Sequence, residues 1–451
     1  MPVPMNNLQE ATQWVYHSYL KAAPRQACKH DEHSRSPELA RQLLHLCGSP
    51  DAGIPVILVA GSKGKGSTAR FLSAALRSAD LSVGLFTSPH LHRFTERIQV
   101  DGTEIAEAEL FRLLTRVYAP AESIASALPA DRYLGPIAIL LAAAFLHFSE
   151  SLADIAVVEC GRGGTYDDTN VLANRWALLT PLLEEHLDHL GPGLEQVIAH
   201  KAGIVKSSTE AVVVGRQRED VQERLQRALA PKGARAYRYG ADYAASVREI
   251  TLSGTILDIQ TARNTYPGLR LPVCGSFQAD NLAAALQASE LILGRPLSLP
   301  RLQEQLNLLA MPGRCEVVRR HPDVILDGAI HADAAAYLEE LARFWPTGKV
   351  ISIVGVPRDK DFAGVVQVLS RFSAEVVVSQ ASRSHKEFFP PEEALAFARE
   401  HTPRSVALID LDAAISYALA KKWAEAVFIV GTQTFIAEAR ERLRAVTHFW
   451  S

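Results

Sequence analysis

The sequence predicts an α/β fold in two domains, one built on a mostly parallel sheet and a second, doubly wound one towards the C-terminus. Three observations carry this expectation. An apolar strand at residues 56–60 runs into a glycine-rich loop and then a helical pattern. Short apolar runs separated by helical spacing recur through the first 310 residues, and from residue 323 onward strand and helix patterns alternate regularly. At 451 residues the chain is too long for one ordinary core, and the pattern divides it into domains at 1–310 and 311–451.

The elements follow in order. The first 50 residues carry helical apolar spacing at Leu39, Leu43, Leu44 and Leu46, which suits packing against the edge of the first domain. After the strand at 56–60, the runs 83–86, 154–159, 176–180 and 211–215 read as buried strands, since a parallel sheet covered on both faces needs continuous rather than alternating apolar residues. Residues 236–271, with Thr and Tyr among them, read as β-hairpins inserted before a helix at Asn281, and 300–312, bounded by prolines, as the linker. Strands at 324–326, 350–354, 375–379, 406–408 and 426–430 then build the second sheet.

Composition narrows the function classes. Apolar residues make up 48% and charged residues 22%, and a net charge of -3 offers no footprint for nucleic acid or an anionic membrane. The five cysteines lack CxxC spacing and are odd in number, which suits buried thiols in a reducing compartment rather than a disulfide framework. Residues 1–14 show no basic start followed by an apolar run, and the most apolar stretch, 137–148, is too short to span a bilayer. A cytoplasmic, monomeric enzyme with small-molecule partners is expected, with no nucleic-acid or membrane partner.

Candidate chemical groups fall just after the expected strands, where open α/β sheets place ligands. In Gly61-Ser62-Lys63-Gly64-Lys65-Gly66-Ser67-Thr68 the glycines let backbone N–H groups converge on a triphosphate. Lys65 supplies a point charge there, and the Ser67 and Thr68 hydroxyls open a helix whose N-terminus favours anions. Gly66, between lysine and serine, departs from the common phosphate-loop spacing. Ser88 lies in Thr87-Ser88-Pro89-His90-Leu91, although turn chemistry alone makes such a Ser-Pro pair more often a turn than a ligand. Glu159 closes the run Ile155-Ala156-Val157-Val158, where nucleotide enzymes hold magnesium; a plain strand end is the competing reading. Gly161-Arg162-Gly163-Gly164 allows close backbone approach to a ligand, or simply a tight turn. The acids and imidazoles of Glu184-Glu185-His186-Leu187-Asp188-His189 suit magnesium better than zinc, or form a solvated polar loop. By composition alone Lys201 is an exposed helix lysine.

Taken in order, these segments resemble the folylpolyglutamate synthase and dihydrofolate synthase family of Mur ligases. The matching stretches are residues 59–68, Thr87-Ser88-Pro89-His90-Leu91 with 93–98, 159–170, His186-Leu187-Asp188 and Lys201-Ala202-Gly203-Ile204. They continue with 275–281, Met311-Pro312-Gly313-Arg314, Asp327 and Asp359-Lys360-Asp361. The resemblance implies a Mur-ligase-like P-loop ATPase domain with a Rossmann-like ligase domain closing over it. It implies that Gly64, Lys65, Gly66 and Ser67 hold phosphates, and that Asn281, Arg314 and Asp327 contact ATP, Arg314 at phosphate and Asp327 at the ribose. Ser88, Glu159 and His186 are implied ligands of Mg2+, two ions in all. Lys201 occupies the position that the family carbamylates, which turns an ammonium into a carboxylate-like metal ligand. Lys65, Lys201 and His186 become the catalytic residues, and Asp167 and His331 face substrate. The implied reaction is an ATP-dependent amide ligation. A substrate carboxylate attacks the γ-phosphoryl group, and an amino acid, glutamate by resemblance, displaces phosphate from the acyl phosphate.

Three positions depart from the family pattern. Gly135-Pro136-Ile137-Ala138 stands where folate enzymes read Thr-x-Phe-Glu, Thr165 where the family commonly has arginine, and Ile330-His331 where it has His-Asn. Loss of polar groups from a substrate pocket redirects its choice, so the same chemistry on a non-folate carboxylate is the alternative. A P-loop kinase would leave Lys201, Arg314 and the second domain without a role, and a nucleotide-binding pseudoenzyme would leave Ser88, Glu159, His186 and Lys201 without one.

Overall fold

The computed structural model describes residues 5–384 and 386–447. The first four residues of the N-terminal stretch and the last four of the chain lie outside them. The chain forms two compact units, one comprising Met1–Ser246, Asp258–Pro267 and Asp280–Leu309, the other Val247–Leu257, Gly268–Ala279 and Ala310–Ser451. The sequence reading draws one boundary at 310, whereas two short earlier pieces group with the second unit. A chain that leaves and re-enters a unit within continuous strands and helices makes no break in composition.

The first unit is built on strands β1 (Val56–Ala60), β2 (Val83–Phe86), β3 (Ile98–Val100), β4 (Thr103–Glu104), β5 (Ile155–Glu159), β6 (Asn174–Leu179), β7 (Ala211–Val214) and β8 (Arg235–Arg238). Their order is β4-β3-β2-β5-β1-β6-β7-β8. From β2 to β8 neighbours are parallel, and β3 and β4 add an antiparallel edge. Strands β1, β2 and β5 are buried along their whole length. The apolar stretch at 137–148 lies within the helix Pro136–Glu150 and is buried through most of its turns. No described helix is long and apolar enough to cross a membrane. The helix Pro37–Leu46 buries Leu43 and Leu44 and packs on Pro136–Glu150, while Leu46 points outward.

Strands β9 (Ala244–Thr251), β10 (Gly254–Gln260) and β11 (Thr265–Leu271) form a three-stranded sheet in the order β11-β10-β9, as expected before the helix Ser276–Leu293. The expected linker at 300–312 is a correction. Leu299–Asn307 is helical, because Pro300 occupies the first turn, where its missing N–H is no loss, and Leu302 and Leu306 bury one face.

The second unit's six-stranded sheet takes β12 (Glu316–Arg319), β13 (Asp323–Asp327), β14 (Val350–Gly355), β15 (Glu375–Val378), β16 (Val406–Ala407) and β17 (Ala426–Gly431) in the order β12-β13-β17-β14-β15-β16. All neighbours are parallel except β12 with β13. Its core includes Ile325, Val354, Val366, Val376 and Phe428. All five cysteines are free; Cys160, Cys274 and Cys315 are buried, whereas Cys28 and Cys47 are only half-buried.

Candidate active site

Strand β1 has β5 on one side and β6 on the other, and the chain crosses between these flanks, so the carboxyl end of β1 is the switch point of the first sheet. The loop that leaves it needs its glycines. Gly61 has φ 147° and Gly64 has φ 81°. A Cβ on Gly61 would stand 1.9 Å from Thr180 Oγ1, and one on Gly64 2.5 Å from Asn281 Oδ1. Gly64 caps the helix Lys65–Arg77. The loop is pinned to the segment after β6: Ser62 N donates to Pro181 O at 2.9 Å, and Leu183 N donates to Ser62 Oγ at 3.0 Å. Asn281 Oδ1 accepts from Thr68 Oγ1 at 3.3 Å, and Lys65 Nζ donates to Gly61 O at 2.8 Å.

Glu159, at the end of β5, is buried and its Oε2 accepts from Ser88 N at 2.9 Å. A Cβ on Gly66 would lie 3.3 Å from that same oxygen. This supplies the physical reason for the extra glycine, which the sequence shows only as a departure: it lets the acid approach the first turn of the phosphate helix. His186 has left-handed backbone, φ 54°, at the start of the short helix Leu187–Leu190. Among the described residues no group of three or more His, Cys, Asp and Glu is arranged to hold a metal. The buried Glu159 carboxylate, beside the Ser88 backbone, is an oxygen donor of the kind that suits Mg2+, which retains several waters.

Lys201, in the last turn of the helix Leu194–Ala202, is 0% exposed, the reverse of what composition alone suggests. Its Nζ donates to Gly61 O at 2.9 Å, to Arg162 O at 2.8 Å and to Glu185 Oε1 at 3.2 Å. Burial pulls its pKa down to about 8, against the pull of Glu185 and with help from Lys65. Burial works against ionisation of Glu185 too, but Lys201, Lys65 and Lys63 outweigh it and hold that acid at about 2. Glu185 lies in the segment flagged for His186 yet was not itself singled out, because only the fold brings it to two lysines distant in sequence.

The loop 161–170 packs tightly on the end of the Lys201 helix. A Cβ on Gly164 would meet His200 O at 2.2 Å, and Thr165 donates to the same carbonyl through its N at 2.8 Å and its Oγ1 at 3.1 Å. Asp167 is 0% exposed and accepts from Arg35 Nη1 (3.1 Å), Gly161 N (3.1 Å), Thr169 N (3.2 Å) and Thr169 Oγ1 (2.7 Å). Both of its oxygens therefore have partners within the fold. Sequence reasoning missed Arg35 and its neighbour Asp31; isolated charges in a polar stretch carry no local signal.

Asp168 fills the space that Gly135 leaves open, where a Cβ would lie 2.1 Å from its Oδ2. Burial pushes its pKa up to about 7 despite Arg35, with Asp167 and Asp31 adding to the rise. A raised carboxyl pKa means that the folded state keeps a proton the unfolded chain releases above 3.8, so this group's contribution to stability is full at low pH and is lost as pH rises to about 7. Denaturation midpoints of Asp168→Asn and wild type, compared across that range, are expected to diverge in favour of the variant, by about 1.4 kcal/mol per pH unit at most, and to run parallel above it. A constant difference across the range would show that Asp168 does not hold this proton.

In the second unit, Asp327 ends β13. Its Oδ2 accepts from Cys315 N at 2.8 Å and its Oδ1 from Ala329 N at 2.9 Å. Burial raises its pKa against the opposing charge of Arg314. The Arg314 guanidinium donates to Gly313 O at 3.0 Å and, with the Gln433 amide turned to satisfy both partners, to Gln433 Oε1 at 2.9 Å. The Ile330-His331 departure resolves into two roles. Ile330 packs against the core, while His331 caps Ala332–Ala335 with Nδ1 3.9 Å from the Asp361 carboxylate.

A nucleotide-type loop at the switch point of a mostly parallel sheet, followed by a separate α/β unit, is the architecture of an ATP-using enzyme. Residues 59–289 match the Mur ligase middle domain, and 313–432 match the family description "Mur ligase, glutamate ligase domain". The dihydrofolate synthase/folylpolyglutamate synthase of Bacillus subtilis is 30% identical over 97% of this chain and 99% of its own. That of Mycobacterium tuberculosis is 32% identical over 76% and 74%. The M. tuberculosis folylpolyglutamate synthase solved with ADP and AMPPCP superposes with a TM-score of 0.84 at 28% identity, over 95% of this chain and 99% of that one. Escherichia coli FolC in complex with DHPP and ADP gives 0.82 at 25% identity, over 99% and 100%. The chain belongs to the folylpolyglutamate synthase/dihydrofolate synthase family of Mur ligases, which are ATP-dependent ligases.

Proposed function

We propose that this protein joins glutamate to the carboxylate of a dihydropteroate or folate acceptor through an acyl phosphate, using ATP and Mg2+ in the cytoplasm. The observation that carries the reading is the convergence of Lys65 and Lys201 on the carbonyl of Gly61, at the sheet end that also bears Glu159 and Ser88.

Backbone N–H groups of Gly64, Lys65, Gly66 and Ser67 cradle the phosphates, and the Lys65 ammonium neutralises charge on the γ-phosphoryl group as the acceptor carboxylate attacks it. Mg2+, held by Ser88, Glu159 and His186, would supply Lewis-acid polarisation of phosphate oxygens. The amine of glutamate then displaces phosphate to form the amide. Lys201, lowered to about 8, presents far more neutral amine to CO2 than an ordinary lysine, which supports carbamylation at this position. Roles for Asn281, Arg314 and Asp327 toward ATP, and for Asp167 and His331 toward substrate, belong to the same proposal.

Phosphate release is the test, measured with ATP, Mg2+ and a panel of dihydropteroate, folates and unrelated acids crossed with glutamate and other amino acids, products being identified by mass. A pterin product heavier by one glutamate is the expected result. Turnover confined to a non-pterin acid would keep the ligase chemistry and replace the acceptor.

A further inference from the structure

We propose that Asp31 is a positioning residue for Lys201, acting through Arg162; the inference rests on the role given to Lys201 above. Asp31 lies in the N-terminal segment, on the short helix Asp31–Ser34, and is 1% exposed. Its carboxylate takes both arms of the Arg162 guanidinium, Oδ1 from Nη2 at 2.5 Å and Oδ2 from Nε at 3.3 Å. Such a fork fixes direction as well as distance. The clamped side chain ties to Asp31 the residue whose own carbonyl accepts from Lys201 Nζ at 2.8 Å.

A second tie from the same segment holds the other side of this peptide. Arg35 Nε lies 3.3 Å from Asp31 Oδ1, and Arg35 Nη1 reaches Asp167, whose Oδ2 accepts from Gly161 N at 3.1 Å. Two charged residues four apart therefore grip residues 161 and 162 from both sides, and 162 carries one of the three acceptors of the buried ammonium.

The test reads placement and turnover separately. In bicarbonate-free buffer the full chain is treated with trinitrobenzenesulfonate, and modification of Lys201 is followed by mass spectrometry. Asp31→Asn is expected to speed that modification about tenfold and to lower kcat about tenfold, with KM for ATP changing less than about twofold. Arg162→Lys, which keeps the charge but loses the fork, is expected to move both readouts in the same direction and carries the test if Asp31→Asn does not fold. The exchange Asp31→Arg with Arg162→Asp is expected to return both toward wild type. Wild-type labelling of Lys201 in Asp31→Asn and Arg162→Lys overturns the inference whatever kcat does. Lys201→Ala that kept full activity would instead sink the role of Lys201 and leave the labelling result standing.

Discussion

Lys65→Ala is expected to lower phosphate release by about 10²–10³-fold or more at saturating acceptor. The ammonium already lies within the phosphate loop, 2.8 Å from Gly61 O, and no second group in that loop can replace it, since Lys63 is directed to Glu185 at 3.7 Å. Lys65→Arg tests whether a point charge or mere positive charge is needed, because the wider, planar guanidinium does not fit a site shaped for a compact ammonium. The loss should fall on kcat more than on the acceptor KM, as expected for an interaction that strengthens in the transition state. Phosphate release by Lys65→Ala at the wild-type rate would remove the basis for phosphoryl transfer in this loop.

Lys201→Ala is expected to cost about 10²-fold or more in kcat. If carbamylation is the reason, two further results follow. Wild-type activity should depend on bicarbonate and gain from it more strongly as pH rises toward about 8, where the buried amine loses its proton. Lys201→Glu, or Lys201→Ala supplied with a short carboxylic acid, should recover part of the activity without bicarbonate, since each restores a carboxylate. If the ammonium itself is what matters, bicarbonate should have no effect and neither carboxylate should help.

How much of this was legible in the sequence depended on the range of the interaction. Strands β1, β2, β5 and β14 were readable because burial on both faces leaves continuous apolar runs. The short antiparallel strands β3, β4 and β12 were not, because edge pairing rather than a continuous apolar run sets them. Pro300 is ambiguous in sequence, since proline marks linkers and also opens helices, and only the burial of Leu302 and Leu306 decides between the two. Ser88, Glu159 and the phosphate loop could be found because each follows a strand directly. Glu185, Asp31 and Arg35 could not, because Lys63, Lys201, Arg162 and Asp167, which give them their places, lie elsewhere in the chain and no local pattern distinguishes them from solvated charges.

The glycine carbonyl at the end of β1 has one further consequence. Two ammonium groups donate to that single oxygen, a third, on Lys63, lies close by, and Glu185 is the carboxylate that all three of them influence. Like charges held this close repel, so the loop is locally frustrated: it works against the stability of the fold around it. A polyphosphate relieves that repulsion on arrival, so part of its affinity comes from a tension built into the protein before any new contact forms. Sequences selected for robustness alone would dilute these lysines, and their crowding marks a place where the fold has been shaped to be incomplete without an anion.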